Sequence, residues 1–236
     1  MTKGILIAVF GILASLATVF SQETPTATPS PTPEQSASAS PAASSSRSVR
    51  ISFVPPPLDG TISLGIYDSA GKLVRVLHQQ DPLDAFTIGA DSLGTKWDGK
   101  DNDGQDVSPG KYRARGYAVG ALQVDKVATD PAAARPEASN DKIAIKLVSN
   151  PLIKGDRQNV EITAGFDDTD SFLETADGLP LYIISQRSDI TGMTTTRTGE
   201  KSIDVWQDSA SAGIEHFRIS KLDQMMAFDC GALELK

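Results

Sequence analysis

The sequence predicts an all-β protein: an immunoglobulin-like antiparallel β-sandwich followed by a second small antiparallel β-region. Three observations carry this. Apolar residues alternate at period two in short runs, clusters of Asp, Asn, Gly and Pro separate those runs, and no helical period appears through residues 47 to 127.

The first run, Val49 to Val54, places Val49, Ile51 and Phe53 on one face and ends at Pro55-Pro56-Pro57, which cannot donate to a sheet ladder. The second places Ile62, Leu64 and Ile66 on one face, turns at Asp68-Ser69-Ala70-Gly71 and returns as Leu73 to Leu77, a hairpin. His78 to Asp84 is polar, Ala85 to Ile88 is a short strand, and Gly89 to Gly94 is a turn-rich link to Trp97. A loop of Asp, Asn and Gly follows, and Pro109-Gly110 leads into a strand with Tyr112 and Tyr117. Asp130 to Asp141 shifts to Ala, Pro and Asp, so residues 128–141 read as an exposed linker between two separately folded units, 47–127 and 142–236. Beyond it, strands are expected at Ile143 to Val148, Val160 to Ala164, LYIIS, SIDVW, EHFRIS and MMAFDCGALEL, with Thr191 to Gly199 a polar loop of partial β character.

The segments IYDSAGKLVRVL, WDG with a second DG five residues on, and VSPGKY occur in that order between Ile66 and Tyr112. Together they resemble the FlgD-type immunoglobulin-like domain, a module of exported bacterial proteins, over residues 48 to 125. The resemblance implies a small β-sandwich without an active site, used as scaffold, spacer or adhesive unit. The interval from His78 to Thr95 is longer than in that pattern. No family is recognised in 142–236.

Lys3 followed by the apolar run Gly4 to Phe20 has the form of a secretory signal, cleaved after Ser21, so residues 1–21 are expected to be a signal peptide. An uncleaved N-terminal anchor is the alternative, with a run at the lower limit for spanning a bilayer. Residues 22–46, rich in Pro, Ser, Thr and Ala, offer nothing to bury and read as a disordered spacer. Secretion, or a periplasmic or cell-surface location, follows. The net charge is −8, with nine basic and ten acidic residues in 47–125 and twelve basic and eighteen acidic in 126–236. That acidity argues against nucleic acid as a partner, and no insertion in a membrane is expected beyond the signal segment.

Chemistry-bearing residues are sparse. Asp98, Asp101 and Asp103, and again Asp167, Asp168 and Asp170, invite a calcium reading, but their spacing fails the EF-hand pattern and loop Asp residues commonly bond their own backbone. His78 and His216 are the only histidines, and no Gly-x-Ser-x-Gly elbow is present. Cys230 is alone and reads as a small buried hydrophobe. Tyr67, Tyr117, Trp97 and Trp206 are candidates for a carbohydrate platform or for the core, with Trp97 expected against Ile62, Leu64 and Ile66. No catalytic, cofactor-binding or metal-ligating residue is assigned, and the chain is read as not an enzyme. The expected function is an exported structural or interaction module of the bacterial cell envelope, its partner an unidentified protein or cell-surface glycan. The alternatives are a carbohydrate-binding accessory module and, more remotely, a hydrolase.

Overall fold

The computed structural model describes residues 47–127, 135–136, 141–152 and 158–236. The signal-like segment, the 22–46 spacer and most of 128–141 lie outside the described residues. The strands run in order as β1 Val49–Phe53, β2 Thr61–Tyr67, β3 Leu73–Asp81, β4 Thr87–Ile88, β5 Leu93–Trp97, β6 Gly110–Val119 and β7 Gln123–Lys126. They continue as β8 Ile143–Lys146, β9 Asn159–Phe166, β10 Asp170–Thr175, β11 Pro180–Gln186, β12 Ile190–Arg197, β13 Ser202–Ser209, β14 Gly213–Ser220 and β15 Met225–Leu235. The one helical element among the described residues is a 3-10 turn at Leu83–Ala85, and the fold is all-β as expected.

Four antiparallel sheets result, in the strand orders β1-β5-β4, β15-β6-β2-β3, β11-β10-β9-β8 and β12-β13-β14-β7. The first two enclose a core of Ile51, Phe53, Ile62, Leu64, Ile66, Phe86, Leu93, Trp97, Ala114, Phe228, Leu233 and Leu235. The other two enclose a second core built on Ile143, Ile145, Ile162, Leu173, Leu181, Ile203, Val205, Phe217 and Ile219.

The hydrogen bonding does not follow the division drawn at 128–141. β15, from the end of the chain, pairs with β6 from Met225↔Val119 to Leu235↔Gly110 and so completes a sheet of the first sandwich. β7, from the other side of the linker, pairs with β14 at the edge of the second. Val119 and Met225 stand in the second core while Ala114 and Phe228 stand in the first, so β6 and β15 run as a pair from one core into the other. Ser45–Lys236 accordingly forms one compact unit. Arg135, expected in an exposed boundary, instead donates to Asp208 Oδ1 at 2.7 Å and to Thr194 Oγ1 at 2.9 Å on the last sheet.

The hairpin forms as expected, and its turn shows why. Asp68 Oδ1 accepts from the amides of Ala70 and Lys72, both at 2.9 Å, while Gly71 takes φ +82°, a left-handed conformation that a side chain resists. DNDGQ repeats the device: Asp101 Oδ1 accepts from the amides of Asp103 at 3.0 Å and Gln105 at 2.8 Å, and Gly104 sits at φ +75°. This second loop also covers the outer edge of β3, since Asn102 accepts from the Val76 amide and donates from its own amide to the Val74 carbonyl. An edge that would otherwise template another strand is thereby closed.

Three expectations on individual elements need correction. β3 continues through the polar stretch to Asp81, held on the edge by a bulged pairing with β2. Gly89 to Gly94 is not only a link: LGTKW forms β5, the central strand of its sheet, because Leu93 and Trp97 face inward while Gly94 and Lys96 dilute the apolar signal. DSFLET forms β10, which period-two reading overlooks because it is buried on both faces. β2 is likewise buried on both faces: Ile62, Leu64 and Ile66 face the first core, while Ser63 and Tyr67 are buried opposite them.

Trp97 is fully buried, shares the core of Ile62, Leu64 and Ile66, packs edge-on to Tyr112 at 4.9 Å and donates Nε1 to the Lys100 carbonyl at 2.8 Å. It fills the gap between the sheets and also anchors the DNDGQ loop. Trp97→Ala is expected to lower unfolding stability by about 3 to 5 kcal/mol in urea denaturation, and a loss below about 1 kcal/mol would contradict that placement.

Candidate functional site

Alternation along β6 directs Tyr112, Ala114 and Gly116 into the first core and Arg113, Arg115 and Tyr117 onto the opposite face of their sheet. On β15 a bulge between Asp229 and Gly231 is stabilised by the Asp229 carboxylate, which accepts from the Gly231 amide at 2.7 Å, with Gly231 at φ +85°. The other Asp229 oxygen accepts from Arg113 Nε at 2.7 Å. The β10–β11 turn approaches the same face. Its Thr175 hydroxyl bonds Asp177 and accepts from the Leu179 amide, presenting Asp177 to Arg115 at 3.4 Å. The Arg115 guanidinium lies 3.8 Å from the centroid of the Tyr67 ring, a cation–π contact.

Between these elements lie two recesses that share Tyr117. One, of about 290 Å³, is bounded by Arg113, Arg115, Tyr117, Gln158, Ala227 and Asp229. The other, of about 300 Å³, is bounded by Tyr117, Asn159, Glu161, Thr175 and Asp177. They form a trough along the seam where the first sandwich meets β9 and β10. Burial, then Asp177, pushes the Tyr117 phenol up against the opposing pull of Arg115, so it stays protonated across physiological pH. Burial, then Asp177, also raises the Glu174 carboxyl on β10.

The aromatic candidates separate clearly. Tyr67, Trp97 and Trp206 are buried, and only the half-buried Tyr117 borders a recess. Trp206 stacks on His216 with ring centroids 4.3 Å apart. The acidic loops spend their oxygens on their own backbone: Asp101 as above, and Asp167 Oδ1 by accepting from the amides of Thr169 and Asp170. Among the described residues no group of three or more His, Cys, Asp or Glu side chains is arranged to hold a metal ion. Cys230 is half-buried, and burial, then Asp229, pushes its thiol up to about 12, far from a reactive thiolate.

One arrangement was invisible in the sequence. His78 lies 2.6 Å from Asp81 Oδ2 through Nδ1 and 2.8 Å from Thr95 Oγ1 through Nε2, the order carboxylate, imidazole, hydroxyl found in nucleophilic sites. Thr95 belongs to β5 and His78 to β3, so the imidazole joins two facing sheets, with its ring against Phe86 at 4.2 Å. His78 and Asp81 are three positions apart on β3, and Thr95, seventeen positions from His78, joins them only through sheet packing. A second polar cluster crosses the end of the other sandwich, where Gln207 accepts from Ser171 and Ser185 and Glu215 binds Lys126 and Arg187.

Asp204, buried on the last sheet, receives both Arg218 Nε and a terminal Arg218 nitrogen at 2.8 Å, and His216 Nε2 lies 3.0 Å away. That His216 contact is close but lacks hydrogen-bond direction. Burial opposes ionisation of Asp204, yet Arg218 first and His216 after it together outweigh that and hold the carboxyl below its ordinary 3.8. Ser211, Ser209 and Arg187 likewise hold Asp189 well below the usual carboxylate range.

Comparison with protein-family models finds no matching family, and neither the curated proteins nor the solved structures contain a match. No helix among the described residues is long and apolar enough to cross a membrane.

A depressed folded pKa contributes stability that is full above the unfolded value and lost as pH falls through the folded value. Melting temperature is therefore expected to drop as pH falls below the ordinary 3.8, and Asp204→Asn is expected to make that acid limb shallower. An unchanged slope in the variant would show that Asp204 does not carry the dependence.

Proposed function

We propose that this chain is an exported structural or interaction module of the bacterial cell envelope, held away from its point of attachment or release by the 22–46 spacer. The observation that carries this reading is where the polar chemistry goes. The His78, Asp81 and Thr95 bonds fasten one sheet to another, the Ser171, Ser185 and Gln207 bonds do the same, and the loop carboxylates bind their own turns. Groups employed this way serve a scaffold. The signal-like residues 1–21 and the segments IYDSAGKLVRVL, WDG and VSPGKY support export and kinship of the first sandwich to FlgD-type immunoglobulin-like domains. The paired recesses around Tyr117 favour one second reading, a carbohydrate-binding accessory module, because they leave polar groups facing solvent beside an aromatic ring.

Export is tested by expressing the full chain in a bacterial host and sequencing the N-terminus of the product from the periplasm or medium. The expected product begins just after Ser21. A product that keeps Met1 and stays in the cytoplasm would overturn the reading, whereas one that keeps Met1 in the membrane fraction would replace release with anchoring.

A further inference from the structure

Resting on the second reading above, we propose that the trough around Tyr117 binds a neutral oligosaccharide, with about one sugar ring in each recess. Each recess is at the small end of the range for ligand pockets, roughly 300 Å³, and neither has the apolar lining that selects a drug-like hydrophobe. The walls instead offer fixed donors and acceptors at two sides of a ring. Arg113 contacts Asp229 through Nε and one terminal nitrogen, which leaves the other terminal nitrogen free to donate within this pair. Asp177 and Glu161 supply acceptors in the neighbouring recess, and Gln158 and Asn159 supply both kinds of group. Hydroxyls that donate and accept at once match this mixture better than a ligand with one kind of polar group.

Ala227, the cross-strand partner of Tyr117, lines the first recess with only a methyl group and so takes little of its space. Tyr117 borders both recesses, so its ring can contact the apolar face of a sugar while its protonated phenol donates. Charge selects against anionic ligands. Arg113 is paired with Asp229 and Arg115 with Asp177, and Glu161 adds a further negative charge, so an anion meets a lining of net negative charge.

The test is titration of the protein from residue 22 onward with trisaccharides of glucose in both linkages, xylose, mannose and N-acetylglucosamine, with a uronic-acid trisaccharide as the charged arm. Binding is followed by NMR chemical-shift perturbation and calorimetry. Saturable binding of at least one neutral sugar is expected, weakened about tenfold or more by Tyr117→Ala and by Arg113→Ala and unchanged by Ile88→Ser on the far sheet. Arg113 is exposed, so its removal leaves folding intact and keeps the test valid if Tyr117→Ala is unstable. The proposal is overturned if no neutral sugar saturates, if only the uronic-acid sugar binds, or if binding survives Arg113→Ala. Such a failure in a protein whose N-terminus begins after Ser21 leaves the export reading standing.

Discussion

The β6–β15 pair is the constraint on which the rest of this structure depends. It is the longest ladder among the described strands, from Gly110↔Leu235 to Val119↔Met225, and it joins residues more than a hundred positions apart. Met225 enters the second core at one end, and Phe228, stacked on Phe53 at 4.8 Å, and then Leu233 and Leu235 fill the first core along the rest. Without β15, β6 would keep only β2 as a neighbour, the first core would lose Phe228, Leu233 and Leu235, and Arg113 would lose Asp229. Long-range closure of this kind costs loop entropy before it returns packing energy, so the N-terminal sandwich is completed only when the last strand arrives.

The trough is a consequence of that crossing. Because β6 and β15 carry one face into the first core, their other face must meet the second sandwich, and the two surfaces do not fit flush. Leu179 and Tyr67 cover one part of the seam near Gly65, where a side chain would collide with Leu73, Tyr67 and Leu179. Arg115 bridges the next part, clamped between the Tyr67 ring and Asp177. Beyond Arg115 the fit loosens, and Tyr117, packed in part against the second core, borders a recess formed with each neighbouring surface. A binding surface at a junction of packed layers arises from the mismatch of the layers and needs no dedicated loop.

Local chemistry was the legible part of the sequence. Asp-x-x-Gly turns announce themselves because the Asp oxygen and the left-handed Gly act within five residues, and Ile51, Phe53, Ile62, Leu64 and Ile66 alternate because one face is wet or at least different. The strands that escaped notice are those in which this contrast fails: β10, buried on both faces, and β5, whose inward Leu93 and Trp97 are separated by Gly and Lys. Strand partnership was not legible at all. Nothing in MMAFDCGALEL distinguishes a strand that stays with its neighbour β14 from one that crosses to β6, and nothing in the composition around Arg135 announces that its side chain docks on the last sheet. The trough was hidden for the same reason, since Arg113 meets Asp229 only through that pairing and Arg115 meets Asp177 only where the β10–β11 turn packs on β6.

If β6 and β15 fuse the two sandwiches, the cores must unfold together. Trp97 reports the first sandwich and Trp206 the last sheet, so each can be followed alone, in Trp206→Phe and Trp97→Phe respectively, by fluorescence during urea unfolding. Within each variant the fluorescence transition is compared with loss of far-ultraviolet circular dichroism in the same samples, which removes the effect of the substitution on stability. The account predicts one transition in each variant, with the tryptophan and the backbone signals superimposed. Two separated transitions, with Trp206 or Trp97 losing its native emission while half of the β signal persists, would show that the sandwiches fold independently and that the crossing strands do not couple them.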